Sequence, residues 1–342
     1  MADTSVLHAL SPAEIRARRA ENPKPRARDF AEGLGLPEAA LVAAHLGHGV
    51  TAIDATPGRL FPLIETLGEV MALTRNASCV HERVGVYEPF TDGIHAAMVT
   101  GDEIDMRMFP KHWVHGYAVE DHGKCSLQVF DAAGDAVHKV HLRDTSDHAA
   151  FAALVAALRV DRGMPHFTPR AAVAPAKGDP AQAEALRAAW GAMTDTHQFL
   201  PMVQKLGLNR LGANRIAGTP LARALSPEAV HLALQQAAEG AVPVMIFVGN
   251  MGCIQIHGGL IENLVPMGPW INVMDPRFNL HLRADHIAEV WAVTKPTRSG
   301  DAVSVEAFDA EGSLILQIFA YRKNQSGEAW NALVAGLPGA AA

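Results

Sequence analysis

Cysteine is scarce in this chain: Cys79, Cys125 and Cys253 are the only three among 342 residues. The number is odd, the spacings are wide and there is no Cys-x-x-Cys. That excludes a disulfide framework and a cysteine zinc site, and it points to reduced, mostly buried thiols in a cytosolic protein. Long apolar runs are missing as well, and no uninterrupted stretch approaches a membrane span. The N-terminal stretch MADTSVLHALSPAEIRARRAENPKPRARDF has neither an apolar core nor a small-residue cleavage site, so no signal peptide is expected and the expected location is the cytoplasm. Positive charge is in deficit. With 29 Lys and Arg against 36 Asp and Glu, the formal net charge is −7, which argues against a nucleic-acid or membrane-surface binder. The second half contains no G-x-G-x-x-G, no P-loop and no G-x-S-x-G.

What the chain does contain is a copy of itself. Its length suits two domains, each with its own core. TRNASCVHERVG (74–85) and VGNMGCIQIHGG (248–259) place Asn76 with Asn250 and Cys79 with Cys253, 174 residues apart. The same offset pairs Met71 with Met245 and Ala118-Val119 with Ala292-Val293. FDAAGDAVHKVHL (130–142) returns as FDAEGSLILQIFA (308–320) at an offset of 178, and LGL recurs at 34–36 and 206–208. Similarity at so long a period is a duplicated domain and not a solenoid. A Pro-, Ala- and Gly-rich stretch between the copies, 162–185, lacks periodicity and reads as a linker or strap. The expected boundaries are 1–165, a linker at 166–181, and 182–342. Each half opens with helical patterns and continues in short alternating runs such as VSVEAFD, LILQIFAYR and CIQIHGG, with Gly and Asp-Gly turns between them. Strand following strand without intervening helices predicts antiparallel sheets and an α+β class.

A ligand site is best sought where the copies differ. In AMTDTHQFLPMVQKLGL (192–208), Asp195 is a natural N-cap, Gln198 stands three residues on, and Phe199, Met202, Val203 and Leu206 follow helical spacing. His197 therefore falls at a helix start, where a neutral ring with a free lone pair is favoured. The first copy has Pro25 at this position. Arg107 aligns with His281, and Lys295 with Asp121. Other histidines read as ordinary. His138 and His141, three apart on a strand, point to opposite faces and cannot share an ion. The pairs His45/His48 and His112/His115 sit in polar, turn-rich surroundings. His257 and His81 follow strand patterns that suit a hydrogen-bonded, partly buried ring, and only His81 stays as a secondary candidate.

Eight blocks, in order, carry a resemblance: VMALTRNASCVHE, GDEIDMRMFPKHW, SLQVFDAAGDAVHKVHL, MTDTHQF, VGNMGCIQIHGG, GPWINVMDPRFNLHLR, WAVTKPT and FDAEGSLILQIFAYRK. Over nearly its whole length the chain resembles the cytoplasmic haem-utilisation proteins of the HemS/HmuS/ShuS/ChuS/PhuS family, the hemin-degrading factors. The resemblance implies two repeats, each an antiparallel sheet flanked by helices, with haem b (hemin) in a cleft between the halves. It implies that His197 is the axial iron ligand, that Arg107 lies on the distal side, and that Lys295 and Arg322 meet the propionates. A tyrosine contact found in some relatives falls near Leu316, with Tyr321 close by. Gln198 stands where some relatives have a second histidine, which implies a single ligand. A haem disc needs an apolar slot, for which Phe199, Phe247, Met245 and the segment 267–274 are candidates.

Two functions fit these features. One is a carrier that takes imported haem from the cytoplasmic side of an importer to a haem oxygenase or other acceptor. The other is an enzyme that opens the porphyrin with external electrons, with Arg107 as the catalytic candidate. The absence of a flavin or nicotinamide site and a cleft suited to release favour the carrier. A duplicated protein without a ligand is a third reading, and a hemin titration would separate it from both.

Overall fold

The structure is a computed structural model that describes residues 10–93, 96–321 and 326–340. Three helices, α1 (Pro12–Glu21), α2 (Ala27–Gly33) and α3 (Glu38–Ala43), lead into β1 (Val50–Ile53) and α4 (Pro57–Ile64). Strands β2 (Val70–Arg75), β3 (Cys79–Gly85), β4 (Phe90–Thr91), β5 (Ala97–Thr100), β6 (Asp105–Met108), β7 (His115–Asp121), β8 (Lys124–Phe130) and β9 (Ala136–Leu142) follow, closed by α5 (His148–Leu158). After a segment without regular structure the order repeats, with α6 (Ala183–Gly191), α7 (Phe199–Lys205), α8 (Arg210–Ala217), β10 (Ala222–Leu225), α9 (Ala229–Glu239), β11 (Val244–Gly249) and β12 (Cys253–Gly259). Strands β13 (Leu264–Met267), β14 (Trp270–Met274), β15 (Phe278–Arg283), β16 (Glu289–Lys295), β17 (Ala302–Phe308) and β18 (Leu314–Ala320), then α10 (Gly327–Gly336), complete the second copy. The α+β class and the duplication stand.

The strands form two sheets of nine: β1-β7-β8-β9-β2-β3-β15-β14-β13 and β10-β16-β17-β18-β11-β12-β6-β5-β4. Position for position these are the same sheet, but neither belongs to one half. Each copy keeps six strands and lends three to the other. β6 of the first half lies antiparallel on β12, with Arg107 opposite Ile254, and β15 of the second half lies on β3, with His281 opposite Val80. The loan covers an edge of β3 and of β12 that would otherwise present unpaired backbone groups.

Alternation explains which face each strand buries. β2 (VMALTR) and β11 (VMIFVG) both bury every second residue, the period of a pleated strand with one covered face. Helices α9 and α10 cover one face of the second sheet, packing Val230, Leu234 and Trp330 on Ile246, Val305 and Ile318. Helices α4 and α5 do the same for the first sheet through Phe61, Ile64 and Leu154. Helices α6 to α8 partly cover the other face of the second sheet, around Trp190, Phe199 and Val203.

The repeated Asn-x-x-Cys explains itself here. Asn76 Oδ1 accepts from the backbone N–H of Ser78 (2.9 Å) and Cys79 (2.8 Å), closing the β2–β3 turn, while its amide donates to the carbonyls of Gly249 and Ile315 in the other half. Asn250 makes the mirror set, accepting from Gly252 and Cys253 and donating to Arg75 and Val137. One residue type thus shapes a hairpin and ties the two halves together.

Candidate ligand-binding site

Directly paired residues in neighbouring strands share a face. On the second sheet this gives a row Trp291, Glu306, Gln317, Phe247 and Ile256, flanked by Val293, Ser304, Phe319 and Met245 on one side and by Gly249, Ile254 and Arg107 on the other. Helices α6 to α8 cover its β16 end. Phe247, Gln317, Phe319, Met245, Ile254 and Arg107 stay partly open. Arg107 reaches this face only because β6 is on loan from the first half. The equivalent face of the first sheet has Leu73, Lys139 and His141 where the second has Phe247, Gln317 and Phe319, and α3 closes on it through a Glu38–Lys139 ion pair. Burial pushes the His141 ring down to about 4. The halves share hairpins and differ at this surface, as the sequence comparison expects of a site.

His197 sits in a single 3-10 turn, Thr196–Gln198, and α7 begins at Phe199, three residues later than an N-cap at Asp195 suggested. The expected cap is present. His197 N–H donates to Asp195 Oδ1 (2.8 Å), and Gln198 Oε1 accepts from Asp195 N–H (3.1 Å). The ring is 91 % exposed and its Nδ1 lies 2.7 Å from the same carboxylate oxygen. A neutral ring in this contact carries its proton on Nδ1 and leaves the Nε2 lone pair facing outward, so a carboxylate and not a long helix sets the tautomer.

Lys295 departs from the picture of a free cation at a rim. It is 3 % exposed and its ammonium lies 2.6 Å from Glu306, whose carboxylate is fully buried and also accepts from Gln317 (2.7 Å), Ser304 (3.2 Å) and Arg210 (3.2 Å). Burial works to raise the Glu306 carboxyl, but Lys295 and Arg210 outweigh it and hold it down at about 2. Lys295 also lies 4.8 Å from the centre of the Phe199 ring and 5.9 Å from that of Phe319, which meets Phe247 edge-on at 5.1 Å. Two cations against one carboxylate leave this end of the face one positive charge in excess.

The structure therefore brings Phe199, Lys295 and Phe247 together through Phe319, and puts Arg107 on the same face, paired with Asp105. Phe199 is itself a core residue, stacked edge-on against Trp190 at 4.6 Å. Arg322 lies outside the described residues. Leu316 points into the core beneath α9 and α10 and cannot stand for the expected tyrosine; three residues on, Phe319 occupies the open face. Segment 267–274 goes with the loaned strands to the first sheet, so it is no part of this face. His81 is wholly buried against Phe278 with no open approach for a ligand. His138 and His141 do lie on opposite faces: His138 bonds Tyr87 (2.6 Å) and Thr74 (2.9 Å) in the interior. Among the described residues no three His, Cys, Asp or Glu side chains group as a metal site, and no helix is long and apolar enough to cross a membrane.

A cavity of about 830 Å³ adjoins the open face and shares Phe247, Ile254 and Gln317 with it. Arg28, Arg75, Phe109 and residues 131–133 and 135–137 are among its other walls, and residues 168–174 roof it. Of the positions named from the sequence for the ligand, Phe247 and Leu316 are in its lining. Glu306, Arg210, Gln317 and Phe319 were not singled out from the sequence. The Lys295–Glu306 pair could have been read only by fixing the β16–β17 register.

The fold and face thus define a duplicated, strand-exchanged α+β protein whose second sheet carries an aromatic, cation-flanked open face. The haemin-degrading HemS/ChuX domain model matches twice, over residues 35–158 and 207–337, and the chain belongs to that family. It is 37% identical over 310 residues to the hemin transport protein HemS of Yersinia enterocolitica, spanning 89% of this chain and 90% of that one. Among solved structures it is similar to holo-PhuS, a haem-binding protein from Pseudomonas aeruginosa, with a TM-score of 0.91 and 40% identity over 97% of this chain and 100% of that one. It is similar also to ChuS, an Escherichia coli haem oxygenase, with a TM-score of 0.86 and 31% identity over 94% of this chain and 99% of that one.

Proposed function

We propose that this protein binds haem b on the open face of the second sheet and carries it within the cytoplasm, from import towards a haem oxygenase or another acceptor. The observation that carries the reading is that face: aromatic rings, a partly open cation and a net positive end, running into a cavity of about 830 Å³. That volume falls within the range of small-molecule sites. Haem is a flat apolar disc whose iron takes an axial nitrogen and whose two carboxylates take cations. His197 Nε2 serves as the axial nitrogen, oriented by Asp195. Phe199 and Phe247 contribute apolar wall, and Arg107, at the end of the same face away from α6 to α8, takes the distal side. Lys295, through its cluster with Arg210 and Glu306, and Arg322 attract the carboxylates. The PhuS and HemS relatives, described as haem-binding and hemin transport proteins, support this role.

A hemin titration tests it. A Soret band should develop and saturate at one equivalent, and His197→Ala should shift it and weaken retention. No band, or an unchanged spectrum in the variant, overturns the site. The enzymatic reading, which the ChuS relative keeps in view, is met by incubating the complex with oxygen, ascorbate and catalase. A stable Soret band supports the carrier. Its loss with stoichiometric iron release despite catalase replaces the carrier with a degrading enzyme, and Arg107→Ala should then slow that loss.

A further inference from the structure

The segment that roofs the cavity is fastened at two ends and free between them. At its first end Phe167 packs on Gly134, where an added Cβ would lie 2.9 Å from the ring, and stands 5.3 Å from the ring of His115. Thr168 N–H donates to Ala132 (2.8 Å), and the Arg170 guanidinium grips Asp135 with two hydrogen bonds of 2.7 Å. These partners all belong to the first half and lie at or beside the β8–β9 turn. At its second end Asn209, the N-cap of α8, accepts from Lys177 N–H (2.9 Å) and donates to the Pro175 carbonyl (2.8 Å). Gly212 of α8 lies so close that an added Cβ would fall 1.9 Å from the Lys177 carbonyl oxygen. Between the fastenings, Ala171, Ala172, Val173 and Ala174 line the cavity, and among the described residues no backbone–backbone hydrogen bond holds them.

The two ends differ in strength. The second combines two Asn209 side-chain hydrogen bonds with a backbone-on-backbone approach at Gly212. Of the contacts at the first, the Arg170–Asp135 pair is a surface ion pair, 58 % and 42 % exposed, with Glu32 and Asp131 the other carboxylates near the guanidinium. Exposed ion pairs are weak and salt-sensitive, whereas the neutral Asn209 hydrogen bonds and the close backbone approach at Gly212 have no net charge for salt to screen.

We propose that residues 171–174 are a strap that gates the cavity, opening when Arg170 releases Asp135 and swinging on the α8 anchor, so that it sets how fast an apolar, carboxylate-bearing disc passes between solvent and the ligand face. The inference rests on the haem reading, because the gate matters only if the ligand enters where Phe247 and Gln317 line both face and cavity. A gate changes entry and exit together and leaves affinity nearly unmoved.

Stopped-flow hemin binding, with apomyoglobin as acceptor for the off-rate, tests this on the full chain. Arg170→Ala and Asp135→Ala should each raise both rates about three- to five-fold, the scale of a bidentate surface pair, and the Arg170→Asp/Asp135→Arg exchange should restore them. Unchanged rates in either single variant overturn the gate. So does faster release in Arg170→Ala alone, which would make the arginine a direct ligand of haem carboxylate. Hydrogen exchange at the Thr168 amide, which donates to Ala132 at the first fastening, gives a readout in the haem-free protein that is independent of haem. Exchange should quicken in both single variants, and unchanged exchange overturns the gate even if hemin fails to bind.

Discussion

Glu306 shows what one buried charge does at this site. Its carboxylate is the hub on which Lys295, Arg210, Ser304 and Gln317 converge. Removing one partner of a buried pair strands the other, a cost of about 3–5 kcal/mol, whereas replacing both by apolar or neutral groups costs far less. Glu306→Gln should therefore lower the unfolding free energy extracted from urea melts by that amount, and Lys295→Met/Glu306→Gln should recover much of it. The linkage has a definite sign. The folded carboxyl titrates at about 2 against an ordinary 4.5, so its contribution is complete above about 4.5 and is lost as pH falls towards 2. Urea melts between pH 5 and 2.5 should fall more steeply for the wild type than for the double variant. His197 and His281 form a second residue-scale contrast. His281 lies on the first sheet with Nδ1 bonded to Asn272 at 2.7 Å, so His281→Ala should leave a hemin spectrum as it is while His197→Ala alters it. The sequence singled out His197 because the copies differ there and an N-cap precedes it, and the cap is present. Glu306 was hidden because strand pairing, not spacing, brings it to Lys295.

Hairpins carry the duplication. Asn76 and Asn250 each close a turn and reach across to the other half, so each substitution by Ala frees two turn N–H groups and at least two carbonyls of the opposite copy. Losing partners for partly buried backbone groups costs about 1–3 kcal/mol. Asn76→Ala and Asn250→Ala should each destabilise by about that much. The double variant should depart from additivity, since both turns serve one junction; strict additivity in a chemical-denaturation cycle would show the turns to be independent. The repeat was legible for this reason: an Asn that must form both a turn and a clasp leaves the same short motif twice. The exchange of β4–β6 for β13–β15 was not legible, because a period of two tells which side of a strand is buried and nothing about its neighbour. Segment 267–274 was misplaced on that account alone, and Arg107 reaches the second sheet by the same device.

Across the whole molecule, the seam between the two sheets is built with neutral histidines. His81 of β3 and His257 of β12 both pack on Phe278, with ring centres 5.0 Å and 3.8 Å away, and Arg83 approaches His257. His138 bonds Tyr87 and Thr74, and Thr74 touches Cys253 of the other copy. Burial pushes His138 and His257 down to about 3 and His81 well below its ordinary 6.5. The unfolded chain therefore takes up protons first as pH falls, and stability declines from about 6.5 towards 3. Both ring nitrogens of His81 are buried without a hydrogen-bond partner, so this residue contributes the acid liability without an offsetting bond. His81→Leu should keep the packing on Phe278, hold or raise the melting temperature at pH 8, and raise it further at pH 5, flattening the profile between them. His138→Leu gives the contrast, since it forfeits two hydrogen bonds and should destabilise at both pH values. If His81→Leu melted lower than the wild type at pH 8, the ring would be satisfied by bonds that the packed seam does not contain, and the acid sensitivity would have to arise elsewhere in the fold.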